Sequence, residues 1–222
     1  MMSTGYKHKS GPVCLACASL KEEIESLAPE NLMLKFYPIG LHESPALLNQ
    51  ALQRGILQEG SGRDVILAYG LCSRSTVGLF NPGGKLVLPR SHDCIRLLRG
   101  TGEAQAGSYF LSPSWVRYGR TPLQEREKLI KKYGKETGAW VFENMFRHYR
   151  RIIFIKTLDS GESVKETLVL ARETARQLQW DFMVERGSTG LLERLLQCYW
   201  DSRDFLVLAP GQRVEESMFF RS

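Results

Sequence analysis

Short apolar runs that stop at proline or glycine alternate along this chain with stretches whose apolar positions recur every three or four residues. "PVCLACASLKEEIESLA" opens as a strand and becomes a helix, with Ser19 as N-cap and Glu22 and Glu23 in the first turn. "LMLKFYPIGLH" is a second strand, halted at Pro38 and Gly40, and "SPALLNQALQRGIL" has the cap-then-proline start of a helix. "DVILAYGLC" is apolar without alternation, as in a strand buried on both faces. Ser73 to Phe80 reads as the start of a short helix, "NPGG" as a turn and "KLVLP" as strand four.

The middle of the chain is less regular. "SYFLSPSW" is either a short strand or an ordered loop, and one or two helices run from Thr121, with Pro122 at the first helical position, to about Tyr149. "RRIIFIKTL" is strand five, followed by a helix over Ser163 to Leu178. "WDFMVERGSTG" is strand six with a glycine-marked turn, "LLERLLQCYW" a helix, and "DFLVLAPG" strand seven. Strands that alternate with helices require long crossovers, which predicts an α/β doubly wound fold: a mostly parallel sheet with helices on both faces. One domain over 13–222 follows a mobile tail over 1–12, and a helical basic segment covers about 117–150.

Composition narrows the class without naming a function. Hydrophobic residues make up 43% and charged residues 24% of the 222, as in a globular chain with a real core. The first ten residues, "MMSTGYKHKS", lack an apolar signal core and no run is long enough to span a membrane, so the expectation is a cytoplasmic protein with no membrane partner. The net charge of +6 is concentrated: Arg117 to Lys156 holds eleven Lys or Arg against four Glu. Such a segment can hold nucleic acid or another anion, but "QEREKLIKKYGKE" interleaves its charges as solvated helices do. Nucleic acid therefore ranks last among the partners.

Five cysteines and no export signal argue against a disulfide framework and leave thiols for metal binding, redox chemistry or simple packing. Cys17 ends strand one, His42 follows strand two, Cys72 follows strand three, and His92 and Cys94 follow strand four. In an open parallel sheet all strands present their carboxyl ends at one edge, where ligands bind. Cys17, Cys72, His92, Cys94 and His42 are thus the candidate metal ligands. Three thiolates and an imidazole suit zinc or an incomplete iron–sulfur ligand set. Asp93 is a candidate to orient an imidazole from behind. Alternatively, Cys94 is a nucleophile with His92 or, with better geometry, Cys72 at its side, or the cysteines are inert. Cys14, three residues from Cys17 on a strand, faces the opposite side and belongs to the core. Cys198 reads as helix packing, His8 as part of the tail and His148 as a basic surface residue.

A second candidate site is "ERGSTGLLERLL". Gly187, Ser188, Thr189 and Gly190 link a strand to a helix whose first N–H groups attract anions, though the same glycines suit a tight turn. Asp201 and the "APGQ" turn at Ala209 to Gln212 border the same edge. This supports a rival reading, a non-metal enzyme or binding protein for an anionic small molecule.

"ILAYGLC", "LVLPRSHDCIRLLRG", "SYFLSPSWV", "GSTGLLERLL" and "FLVLAPGQ" together resemble the DUF1638 family, over about Val13 to Val214. The family pattern is matched by Ala16 and Cys17, by Gly40, Leu41 and His42, by Tyr69 to Cys72, and by His92 to Cys94. Where the family commonly has glycine after the third of these motifs, this chain has Ser73. The family has no settled activity. Its members occur largely in anaerobes and are often encoded near corrinoid-dependent methyltransferases. The resemblance therefore implies a metal or cofactor role linked to corrinoid or one-carbon metabolism, with a small molecule or corrinoid-related partner.

Overall fold

The computed structural model describes residues 11–99, 105–158 and 162–220. His8 and all but the end of the expected tail lie outside the described residues. The class is α/β, and the eight strands among the described residues divide into two sheets rather than one.

The larger sheet has the order β2-β1-β3-β4-β8. At its centre β1 (Val13–Cys17) pairs in parallel with β2 (Met33–Tyr37) on one side and β3 (Val65–Ala68) on the other, and β3 pairs in parallel with β4 (Leu86–Pro89). Every residue of β1, β3 and β4 is buried, which explains why their sequences are apolar without alternation. The closing strand β8 (Phe205–Leu208) runs antiparallel to β4.

Both faces of this sheet are covered. Val13, Leu15, Val65 and Leu67 pack with Leu48, Leu52 and Ile56 of α2 (Pro45–Glu59). Cys14, Ala16, Ile66 and Ala68 pack on the other face with Ile24 of α1 (Lys21–Leu27), Leu97 of α3 (Cys94–Arg99) and Leu192 and Leu195 of α8 (Gly190–Leu196). Each fully buried Leu or Ile contributes roughly 1.5–3 kcal/mol of transfer free energy. Cys14 thus lies on the face opposite Cys17, as the two-residue period of a strand requires.

The smaller sheet is parallel, with β6 (Arg151–Lys156) between β5 (Ser108–Leu111) and β7 (Asp181–Arg186). "SYFLSPSW" is therefore a strand and then a helix. Ser112 Oγ accepts from the Trp115 N–H and Pro113 occupies the first turn of α4 (Pro113–Tyr118). The basic stretch forms α5 (Pro122–Tyr133), started by a Thr121–Gln124 capping box, and α6 (Lys135–Phe146). Several of its cations meet carboxylates: Arg117 pairs with Glu22 and Glu166, and Arg120 with Glu43 and Glu125. The crossover to β7 is α7 (Glu162–Leu178).

Two local expectations are corrected. Ser73 to Phe80 does not form a helix. Ser75 Oγ donates to the Cys72 carbonyl and Thr76 Oγ1 to the Gly70 and Leu71 carbonyls, local bonds that compete with a helix. The local backbone bonds are three-residue turns, among them Ser75 N–H to Cys72 O and Val77 N–H to Arg74 O. Cys198 is not helix packing either. α8 stops at Leu196, and Cys198 is exposed with φ of 63°.

Candidate thiol site

The parallel strands β1 to β4 present their carboxyl ends at one edge, and the connection after β1 leads to one side of the sheet while that after the neighbouring β3 leads to the other. Such a divergence opens a crevice between neighbouring loops. Cys17 closes β1. A 3₁₀ turn over Ile39–Glu43 after β2 carries His42. Tyr69 to Cys72 follow β3, and Ser91 to Cys94 follow β4.

The last two loops are held together by main-chain bonds. The Leu71 N–H donates to the Ser91 carbonyl at 2.8 Å and the Cys72 N–H to the His92 carbonyl at 2.9 Å. Gly70 permits this approach, because a Cβ there would stand 2.4 Å from Ser91 O and 2.8 Å from Asp93 N. Cys72, Ser73 and Arg74 then take φ of 46°, 55° and 68° in succession, a left-handed run of three non-glycine residues. Each such residue costs roughly 1–2 kcal/mol. The strained turn fixes the backbone that carries Cys72.

Ser19 joins two of the thiols: its N–H reaches Cys17 Sγ at 3.5 Å and its hydroxyl reaches Cys94 Sγ at 3.4 Å. Cys17, Cys72 and Cys94 are all buried. Burial pushes Cys17 up, against opposing hydrogen bonds from Ser19. Burial likewise pushes Cys72 up to about 12, with nearby Cys17 and Asp93 adding to the effect. Cys94 stands well above the ordinary thiol value, from burial and then from Cys17 and Cys72. The thiols are therefore neutral at physiological pH and close enough to oppose one another's ionisation.

Tyr69 completes the group. Its hydroxyl is buried and has no hydrogen-bond partner among the described residues. Burial, and then Cys17, Cys72, Tyr37 and Cys94, holds the phenol well above its ordinary value. His42 lies beside this cluster, with Nδ1 4.0 Å from Cys17 Sγ and its ring stacked on Tyr69 at 6.0 Å between centroids. Nδ1 is 3.1 Å from the Ile39 carbonyl, which can only accept, so Nδ1 carries the proton. Nδ1 cannot then serve Cys17 as a base. Burial lowers the His42 pKa and keeps the imidazole neutral. His42 also lines a cleft of about 300 Å³ whose other walls include Tyr109, Trp115, Tyr118 and Arg120.

The other expected residues fall elsewhere. His92 is exposed, with its ring 5.5 Å from that of Phe220, and it meets Cys72 only through its carbonyl. Asp93 orients no imidazole; its Oδ1 accepts from the Arg96 N–H at 3.0 Å and so caps α3. His148 is exposed. In the glycine turn, the Gly187 N–H donates to Lys156 O and the Ser188 N–H to Leu98 O. A Cβ on Gly187 would lie 2.7 Å from Thr157 and 2.9 Å from Leu98 O, so this glycine serves close packing. Thr189 Oγ1 bonds the Glu193 carboxylate, which places the chain's own anion in the first turn of α8.

Ser19 and Tyr69 are the members of the site that the strand-end argument passes over. Ser19 looked like a helix cap. The available signal for Tyr69 was a phenol at the end of an otherwise apolar buried run.

No group of three or more His, Cys, Asp or Glu side chains among the described residues is arranged to hold a metal ion. The donor set nevertheless suits a soft cation: three thiols, a neutral imidazole and a buried hydroxyl lacking a partner. An ion held by these groups would require the thiols to reorient. No helix among the described residues is long and apolar enough to cross a membrane.

No curated protein and no solved structure matches the chain. A family model described as a protein of unknown function matches residues 36–196, a span that holds His42, Cys72 and Cys94 but begins after Cys17. By that match the chain belongs to the DUF1638 family.

Proposed function

We propose that this protein binds a soft metal ion, or a cofactor that contains one, at the carboxyl edge of the larger sheet. Cys17, Cys72 and Cys94 are the anionic ligands and His42 the neutral one. The observation that carries this reading is that three buried thiols stand at the ends of three neighbouring strands, two of them bridged by Ser19, with the unpartnered Tyr69 hydroxyl on the segment that carries the third. A bound cation would reverse the penalty that burial and mutual repulsion place on the thiolates. Ser19 would then act as a donor to thiolate sulfur. The His42 cleft would give a small molecule access to the site, and family association extends the reading to corrinoid-linked one-carbon chemistry.

Anaerobically purified protein tests the reading by elemental analysis and by titration with cobalt(II), whose thiolate charge-transfer absorption reports sulfur ligands. Near-stoichiometric uptake with that absorption, lost stepwise in Cys17→Ala, Cys72→Ala and Cys94→Ala, is the expected result. Absence of metal as isolated, together with no cobalt absorption, would sink it.

A further inference from the structure

A second cleft, of about 700 Å³, has Arg90, Arg96, Arg194, Arg203, Leu191 and Phe219 among its walls. Its cations are not equivalent. Arg194 is paired with Asp201 at 2.8 Å and Asp204 at 2.6 Å, and Arg203 lies 3.7 Å from Asp201. Arg90 and Arg96 form no ion pair with a carboxylate among the described residues. The Arg90 guanidinium is held by neutral carbonyls, its Nε donating to Ser202 O at 3.0 Å and its Nη1 to Met218 O. Those bonds fix its plane without cancelling its charge. Arg96 is exposed at the rim, on a helix whose start is capped by Asp93.

Two guanidiniums without counter-ions, one of them immobilised, match a doubly charged oxyanion better than a single carboxylate. A phosphate monoester carries about −1.5 to −2 charges at neutral pH, and a guanidinium offers it a planar two-donor fork. Leu191 and Phe219 add apolar wall beside the arginines, and the cleft has room for more than the anion alone. We infer that this cleft binds a phosphorylated small organic molecule, with its phosphate on Arg90 and Arg96 and its carbon skeleton along Leu191 and Phe219. This assignment does not rest on the thiol site. The two share α3, which bears both Cys94 and Arg96, and the loop before it, whose Ser91 lines the cleft.

Calorimetric titration of the intact protein with phenyl phosphate and with inorganic phosphate, at low and moderate salt, tests it. Phenyl phosphate is expected to bind more tightly than inorganic phosphate. Arg96→Gln should weaken it about tenfold or more, since a charge-assisted contact is lost. Arg54→Gln, an exposed change on α2 outside the cleft, should leave it unaltered. The Arg96 side chain makes no hydrogen bond or ion pair among the described residues, so thermal melting should be unchanged in its variant. No binding of either probe, equal binding of the two, or equal losses in both variants would overturn the assignment. So would retention of a single-stranded oligonucleotide without binding of phenyl phosphate.

Discussion

The Ser19 hydroxyl donates to Cys94 Sγ at 3.4 Å across 75 positions of sequence, while the N–H of the same residue reaches Cys17 Sγ at 3.5 Å. One residue thus sets the relative position of thiols delivered by two different strand ends. Ser19→Ala removes one of these bonds and keeps the other. Cobalt affinity should fall about 10- to 100-fold, the usual effect of losing a group that orients ligands. The far-ultraviolet spectrum should not change. An unaltered affinity would mean that Ser19 merely packs.

Metal uptake should depend steeply on pH. Burial raises Cys17, Cys72 and Cys94, so each still carries its proton at neutral pH and would have to release it to ligate a metal. Affinity should therefore rise by about tenfold per pH unit for each proton released, below the thiol pKa values. Calorimetry in buffers of different ionisation enthalpy counts those protons. A count near zero would exclude thiolate ligation.

Tyr69→Phe deletes a buried hydroxyl that has no partner among the described residues. The metal-free protein should gain about 1 kcal/mol, because an unsatisfied buried polar group costs that much or more. Thermal melting should rise by about 2–4 °C for a chain of this size. A fall would show that the hydroxyl is satisfied in solution.

Gly70→Ala places a methyl group 2.4 Å from the Ser91 carbonyl oxygen. Both contacting atoms belong to backbone, so the two loops must part. The expected cost is about 1–3 kcal/mol in urea denaturation, with loss of cobalt absorption as Cys72 and Cys94 separate. Retention of full affinity would show that the thiols do not need this loop contact.

Glu23 gives stability a defined slope with pH. Its buried carboxyl accepts from Ser114 Oγ and Thr157 Oγ1, yet burial outweighs these bonds and raises its pKa above the ordinary 4.5. A raised folded pKa means that the group's contribution is complete below 4.5 and is lost as pH rises through the folded value. Glu23→Gln should therefore flatten the decline in melting temperature above pH 4.5. Parallel curves for the two proteins would refute this assignment.

The fold was legible where physics acts locally. β1, β3 and β4 are buried on both faces, and their uniform apolar runs announce it. The opposite facing of Cys14 and Cys17 followed from strand period alone. That Cys17, Cys72 and Cys94 stand at the carboxyl ends of neighbouring parallel strands followed from the common polarity of such strands. His92 was misplaced because the direction of a loop side chain depends on tertiary contacts, here Phe220 near the end of the chain. In sequence the stretch after Cys72 resembles a helix, because its hydroxyls, which divert the backbone, look like ordinary polar positions. Division into two sheets was not readable, since periodicity shows that a strand exists and not which strand it joins.

The antiparallel course of β8 has a consequence for the order of assembly. Pairing of Pro89 with Phe205 encloses the whole smaller sheet and its helices within one loop of chain. Closing so long a loop carries a large entropic cost, which favours completing the enclosed segments first. Because the arginine cleft takes Arg90 from one side of this pairing and Arg203 from the other, it comes into existence with that last step. Phosphate binding would then report completed folding, and partly folded chains would be blind to the ligand.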